Sequence, residues 1–336
     1  MINYKKISSF DTEDRLHTFR KNLVEEFIVQ RINDHLRPVQ KFFAKETRKR
    51  NHQILLILGA PRSGSTLLNQ VLVSRLDLGY PSNLMARFYE APAVGAFLQK
   101  LLIKDRIKDL RKYKSIHGIT ELIEEPHEFG YFWSRHLAVS EDVHEPNENE
   151  IHAVNIRNLD NELQTIISIF NKSVIFKCLL VNFFIPVLKQ IPNILFIDLQ
   201  RNPIELARSI WLVRQERLGN VEKWWSLRPR NYSFLKRLTP AQQIAGQILA
   251  IRASIANGLS CVEENRKLTV SYENLIRNPE AVIDRTVEKI FRLGARVEKI
   301  GEPISYVGHP GKKNLDPAIE SEIVKAFDDV NALIKL

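Results

Sequence analysis

Eight consecutive residues, Gly59-Ala60-Pro61-Arg62-Ser63-Gly64-Ser65-Thr66, have the makings of an oxyanion cradle. Their spacing is that of a Walker A loop, G-x-x-x-x-G-K-[ST], except that Ser65 stands where the lysine belongs. Backbone N–H groups can still curl around an oxyanion, because the glycines permit the turn and a following helix N-terminus adds partial positive charge. Ser63, Ser65 and Thr66 add hydroxyl donors, and Arg62 adds a cation with a fork of N–H groups. The absent lysine normally contacts the β and γ phosphates, so the loop is poorly equipped for phosphoryl transfer from Mg-ATP. It suits an adenosine 5′-phosphate carrying a different group to be transferred. Taken alone, the loop leaves kinase chemistry and other transfers from a nucleotide both open.

Such a loop needs a strand leading in and a helix leading out. Residues 53–58 form an uninterrupted apolar run, the pattern of a central parallel strand covered on both faces. Leu67, Leu68, Val71, Leu72 and Leu76 then recur at helical spacing. Further strands are expected at 174–181, 194–199 and 268–272. The strand at 194–199 turns through Arg201-Asn202-Pro203 into a helix, with Asn202 as cap, Pro203 at the first position and Glu205 completing a capping-box-like pattern. Residues 11–49 read as helix with a boundary at Pro38, and Asn278-Pro279 opens a helix that runs to Gly294. Alternation of this kind implies an α/β fold: a doubly wound parallel sheet, a P-loop-like phosphate-binding loop and helical substrate-cap insertions. One domain is expected over 1–336, with the helical cap insertion at 81–150. That insertion holds a basic amphipathic stretch at 103–114. A second irregular region at 219–240, with Trp224 and Trp225, is a further candidate cover.

The run Pro61-Arg62-Ser63-Gly64-Ser65-Thr66-Leu67-Leu68 resembles the 5′-phosphosulfate-binding loop of sulfotransferases that use 3′-phosphoadenylyl sulfate (PAPS). The likeness implies that Arg62, Ser63, Gly64, Ser65, Thr66 and Leu67 bind the donor. Arg201-Asn202-Pro203 with Ser209 is similar to the family's 3′-phosphate motif, an arginine at a strand end and a serine on the next helix. Arg201 would leave the carboxyl end of a strand, where open α/β sheets bind ligands, and Ser209 lies about two turns along the helix. Ser271-Tyr272-Glu273-Asn274-Leu275 is similar to a Tyr-Glu-Asp/Asn-Leu segment whose tyrosine lies near the adenine. His309-Pro310-Gly311-Lys312-Lys313-Asn314 falls where members carry a basic loop, which adds Lys312 and Lys313 as donor contacts.

The family's base is less directly matched. Many members carry a catalytic histidine in a Lys-Thr-His-Leu segment. Here Lys177-Cys178-Leu179-Leu180 occupies that place, with Leu179 at the histidine position. Other branches use a glutamate. Glu125-Pro126-His127-Glu128-Phe129 resembles a Glu-Pro-x-Glu-Phe stretch of bacterial members acting on sugars, which there follows the loop more closely. A carboxylate or neutral imidazole within reach of an acceptor hydroxyl meets the demand, so Glu128, Glu125 and His127 are candidates and Glu90 a further one. The resemblance implies PAPS as donor, adenosine 3′,5′-bisphosphate as product, no metal, and a hydroxyl acceptor on a glycan or other small molecule. Phe129, Tyr131, Phe132 and Trp133 suit either a sugar cap or the core.

The remaining composition narrows the alternatives. With 336 residues, 44% hydrophobic and 26% charged, the chain reads as an ordinary soluble globular protein. A formal charge of +10 favours polyanionic ligands, yet RNP signatures, finger spacings and basic heptads are missing, which disfavours a dedicated nucleic-acid module. Cys178 and Cys261 lie far apart, and the first residues lack the apolar core of a signal peptide; both features fit the cytoplasm. The most apolar stretch, 174–199, is broken by Lys177, Pro186, Lys189 and Pro192 and reads as buried elements, with no membrane span. His136, His144 and His152 read as scattered surface histidines, and no G-x-S-x-G elbow occurs. Two rival functions remain: a P-loop nucleoside kinase or NTPase, and a non-catalytic polyanion-binding protein. Oligomeric state is not encoded in any of these patterns.

Overall fold

Every side chain of Ile54–Leu58 (β1) is buried, as the uninterrupted apolar run requires. In the computed structural model, which describes residues 22–45, 51–103, 120, 122–137, 139–307 and 315–333, this strand lies inside a four-stranded sheet. The others are Val174–Lys177 (β2), Ile194–Gln200 (β3) and Lys267–Ser271 (β4). The order is β2-β1-β3-β4 and all pairings are parallel, with Ile57 opposite Lys177, Leu58 opposite Asp198 and Gln200 opposite Ser271. All the carboxyl ends therefore open on one edge of the sheet, where the loop after β1 and Arg201 after β3 both emerge.

The principal helices are α1 (Leu23–Lys45), α2 (Ser65–Arg75), α3 (Pro92–Leu102), α4 (Gly130–His136), α5 (Ile156–Phe170), α6 (Pro203–Val213), α7 (Pro240–Ser260), α8 (Tyr272–Arg277), α9 (Pro279–Arg292) and α10 (Pro317–Leu333). They cover both faces of the sheet. Ile54, Leu56 and Leu58 face a core shared with α4, α5 and α7, including Trp133, Ile166 and Ile248. Leu55 and Ile57 face a second core with Leu68 and Leu72 of α2 and Val282 and Ile290 of α9. Alternate residues of one strand thus serve two layers, which is the doubly wound arrangement.

Three element boundaries differ from the sequence reading. β2 ends at Lys177, and the apolar residues after it form a short 3₁₀ turn, Leu179–Phe183. Tyr272 opens α8, capped by Ser271, and is not the last strand residue. Pro38 lies inside α1 and ends nothing. Side chains on both sides of that proline tether the helix: Asn33 Nδ2 donates to Arg87 O at 2.7 Å, and Gln40 Oε1 accepts from Ala93 N–H at 2.7 Å. Tertiary hydrogen bonds of this kind offset the helix bond that proline forfeits. Between 81 and 150 the described elements are α3, α4 and the short helices Asn83–Ala86 and Glu148–Ala153. The basic stretch lies outside the described residues beyond Ile103.

Candidate active site

The loop after β1 is shaped by three residues with positive φ: Gly59 (155°), Arg62 (71°) and Gly64 (93°). Gly64 is the N-cap of α2, so the amides that follow open onto a helix N-terminus. Its lack of a side chain has a direct reason. A Cβ there would lie 2.6 Å from Cδ2 of Tyr272, so the loop rests on that ring. Ser63 is buried, and its Oγ has no hydrogen-bond partner among the described residues.

Arg62 and Arg201 converge, although 139 residues separate them. Arg201 Nη1 donates to the carbonyl of Arg62 at 2.9 Å, and Arg62 Nε donates to Ser209 Oγ at 2.9 Å. The Arg201 guanidinium also stacks 4.3 Å from the Tyr272 ring centroid. Burial, and then the neighbouring Arg201 charge, lower the pKa of Arg62 below the usual arginine value. Burial pushes the Tyr272 phenol up, against the opposing pull of Arg201 and Arg62. Two cations held this close, with no ion pair to either among the described residues, form a preorganised place for negative charge. The positions follow from the fold: Arg201 leaves β3 at the sheet edge, and Asn202 caps α6 by accepting from Ile204 and Glu205 N–H groups, which fixes the helix that carries Ser209.

The acidic segment separates into distinct roles. Glu128 forms an ion pair with Lys177, the last residue of β2, which lies opposite Ile57 in the strand that leads into the loop. The lysine side chain is 6% exposed and the Glu128 side chain 43%. Buried Cys178, the next residue, has its thiol pushed up to about 12, first by burial and then by the Glu128 charge. Glu125 is buried within its own turn, where Oε2 accepts from Leu122 N–H at 2.8 Å. His127 Nδ1 accepts from Phe129 N–H at 2.9 Å, so its ring organises the same turn. Glu90 belongs to a separate charge network with Arg37 and Arg135.

Several sequence-level expectations change here. Phe129, Phe132 and Trp133 are core residues: Phe129 stacks on Phe132, and Trp133 meets Phe176 edge-on, so the three offer no face to a ligand. Tyr131 donates to Glu26 Oε2 at 2.8 Å. His144 is buried and the His136 side chain is 4% exposed, so neither is a surface histidine. No cluster of three metal-ligating side chains occurs among the described residues. Cys261 is exposed and Cys178 buried, and both are free thiols. Lys312 and Lys313 lie outside the described residues.

Two further groups at the site carried no recognisable motif. Asn182, fully buried in the 3₁₀ turn after β2, accepts from Gly59 N–H at 3.1 Å and donates to Gly59 O at 2.8 Å. Glu216, seven residues past Ser209 in a π-helical turn, is close enough for its charge to support the protonated form of Arg62. π-turns at the end of a site-bearing helix are a recurrent functional feature, and composition alone would not have singled this one out.

Comparison with known proteins bears on this arrangement. A family model described as "Sulfotransferase family" matches residues 55–290, which span the loop, Arg201, Ser209 and Tyr272. The crystal structure of the sulfotransferase STF9 from Mycobacterium avium aligns with a TM-score of 0.50 at 12% identity, covering 96% of this chain and 80% of that one. That of STF1 from Mycobacterium tuberculosis H37Rv aligns with a TM-score of 0.45 at 13% identity, covering 80% and 75%. Among curated protein sequences none matches.

Proposed function

The chain belongs to the sulfotransferase family, and from that premise we propose that it transfers a sulfuryl group from PAPS to an acceptor hydroxyl. The observation that carries the donor assignment is the meeting of Arg62, Ser209, Arg201 and Tyr272 beside the loop. The loop amides, the unpartnered Ser63 hydroxyl and Arg62 suit the 5′ side of the donor, and Arg201 with Ser209 suits its 3′-phosphate. Tyr272, under Gly64 and against Arg201, offers a ring at the boundary between the two. Leu67, Ser65 and Thr66 complete the loop side, at the first turn of α2.

When bound, this donor supplies an activated sulfuryl group whose leaving half is adenosine 3′,5′-bisphosphate. Glu128 takes the proton of the acceptor hydroxyl, because it is the candidate carboxylate that stands partly exposed at the end of the strand beside the loop. Glu125 and His127 hold the turn that presents it. Lys177 holds Glu128 in place. Arg62 and the loop amides oppose the charge that grows on the departing 5′-phosphate, the preorganised electrostatics that such transfers require. The acceptor is a hydroxyl on a glycan or other small molecule; the +10 charge and the Glu-Pro-x-Glu-Phe likeness support an acidic or sugar-like one. No helix among the described residues is long and apolar enough to cross a membrane, and both cysteines are free, which supports a cytoplasmic setting.

Thermal unfolding with candidate ligands tests this directly, since a ligand that binds the folded state raises the melting temperature. Adenosine 3′,5′-bisphosphate should stabilise without magnesium. Stabilisation by Mg-ATP alone would assign the site to a kinase or NTPase. Steeply salt-dependent binding of a polyanion, with no response to either nucleotide, would assign it to a polyanion-binding protein.

A further inference from the structure

Gly59 is the first residue beyond β1, and it is buried. Its neighbours leave no room for a side chain: a Cβ would meet Ser63 Oγ at 2.6 Å and Leu199 O at 3.0 Å. At this point the sheet has ended on one side, because β2 stops at Lys177 and turns away. A buried peptide group without a ladder partner is costly, so both its N–H and its C=O need a substitute. Asn182 provides one. Its side-chain amide offers the same acceptor and donor as a backbone peptide, and both are used on Gly59, at 3.1 Å and 2.8 Å. The side chain is itself fully buried.

We propose that Asn182 is a positioning residue for the 5′ half of the donor site: its amide stands in for the missing strand rung and fixes the peptide from which the phosphate loop departs. This rests on the donor reading above. Among the described residues the Asn182 side chain hydrogen-bonds Gly59 and none of Arg201, Ser209 or Tyr272, so its influence should fall on the loop and spare the 3′ grip. The same short segment carries Lys177, which holds Glu128. The last residue of β2 and the turn that follows it therefore set the proposed base and the loop respectively.

The test compares two probes, adenosine 3′,5′-bisphosphate and adenosine 3′-monophosphate, by titration calorimetry on the full chain. Asn182→Leu keeps the branched skeleton and heavy-atom count and removes both hydrogen bonds. It should weaken the bisphosphate about tenfold or more, as loss of a well-aligned site does, and leave the 3′-monophosphate within about twofold. Asn182→Asp provides a second readout. As a carboxylate it can accept from Gly59 N–H but faces the Gly59 carbonyl without a proton. Protonated, it regains a donor. A buried carboxyl titrates upward, so the affinity ratio to wild type should recover as pH falls from about 8 to about 5.5. Unchanged bisphosphate affinity in both variants overturns the proposal. Equal loss of both ligands, or failure of both variants to fold, also overturns it, since either would make Asn182 a general structural residue. A wild-type chain that binds neither probe would instead reject the donor reading itself.

Discussion

Arg62 Nε donates to Ser209 Oγ at 2.9 Å, joining the loop after β1 to the helix after β3. The contact means that the two halves of the donor site are held together before any ligand arrives, with Arg201 bracing the Arg62 carbonyl from the other side. Removing either guanidinium should therefore remove charge-assisted bonds to a phosphate, each worth about 1.5–3 kcal/mol, or about 10- to 150-fold in affinity. Arg62→Ala and Arg201→Ala are expected to weaken adenosine 3′,5′-bisphosphate by that factor in titration calorimetry. Ser209→Ala should cost less, about fivefold, because one hydroxyl is lost and no charge. Wild-type affinity in both arginine variants would dismantle the site as drawn.

Gly64 and Tyr272 define a second expectation. Alanine at 64 would combine a φ of 93° with a Cβ placed 2.6 Å from the Tyr272 ring. The strain and the clash together should destabilise the fold by about 1–3 kcal/mol and lower the melting temperature by a few degrees. Adding Tyr272→Ala relieves the clash and leaves the backbone strain, so the double variant should be less destabilised than the sum of the singles. Strict additivity would mean that the ring does not limit residue 64.

Glu128→Gln separates binding from chemistry. The amide keeps the size of the side chain and can still accept a hydrogen bond from Lys177, so bisphosphate affinity should stay within about twofold. Turnover should fall by about 10²–10⁴, the usual contribution of a general base. Glu125→Gln is expected to behave in the opposite way, loosening the turn at Leu122 and lowering thermal stability before it affects turnover. If Glu128→Gln turned over normally, Glu216 would be the next carboxylate to replace, because its charge acts on Arg62.

These contrasts show what the sequence could and could not reveal. The loop, Arg201, Ser209 and Tyr272 were readable because each sits at a strand end or on a helix that follows one, where local spacing dictates position. Asn182 was not, since an asparagine among Leu180, Val181, Phe183 and Phe184 gives no local sign that it partners a glycine 123 residues away. The premature end of β2 was hidden for a related reason: a buried 3₁₀ turn and a buried parallel strand need the same apolar residues. The Lys177–Glu128 pair spans 49 residues and exists only once the 81–150 segment folds back over the sheet edge. The aromatic run at 129–133 was ambiguous for the opposite reason, as core and sugar-binding surfaces draw on the same residues.

His144 sets the acid limit of the cover. It lies in the acidic loop of the 81–150 insertion and bonds reciprocally with the second irregular region: His144 N–H donates to Arg228 O at 2.8 Å, and Arg228 N–H donates to His144 Nδ1 at 3.1 Å. Arg228 Nη1 also donates to Glu141 O, and Arg230 N–H to Glu145 Oε2, so this clasp joins two segments with no covalent reason to meet. An imidazole that accepts at Nδ1 must be neutral there, and burial, aided by the Arg228 charge, lowers its pKa from 6.5 to about 4. The unfolded chain thus binds a proton at a pH where the folded chain does not. Stability from this group is complete above about pH 6.5, declines as pH falls, and is lost once pH passes about 4. The gap between the unfolded and folded values corresponds to about 3 kcal/mol. His144→Gln can still accept from Arg228 N–H but does not titrate. Urea unfolding from about pH 7 to about pH 4 should therefore show the wild type losing about 3 kcal/mol more than the variant. Parallel stability curves for the two proteins would show that the clasp does not depend on a neutral His144.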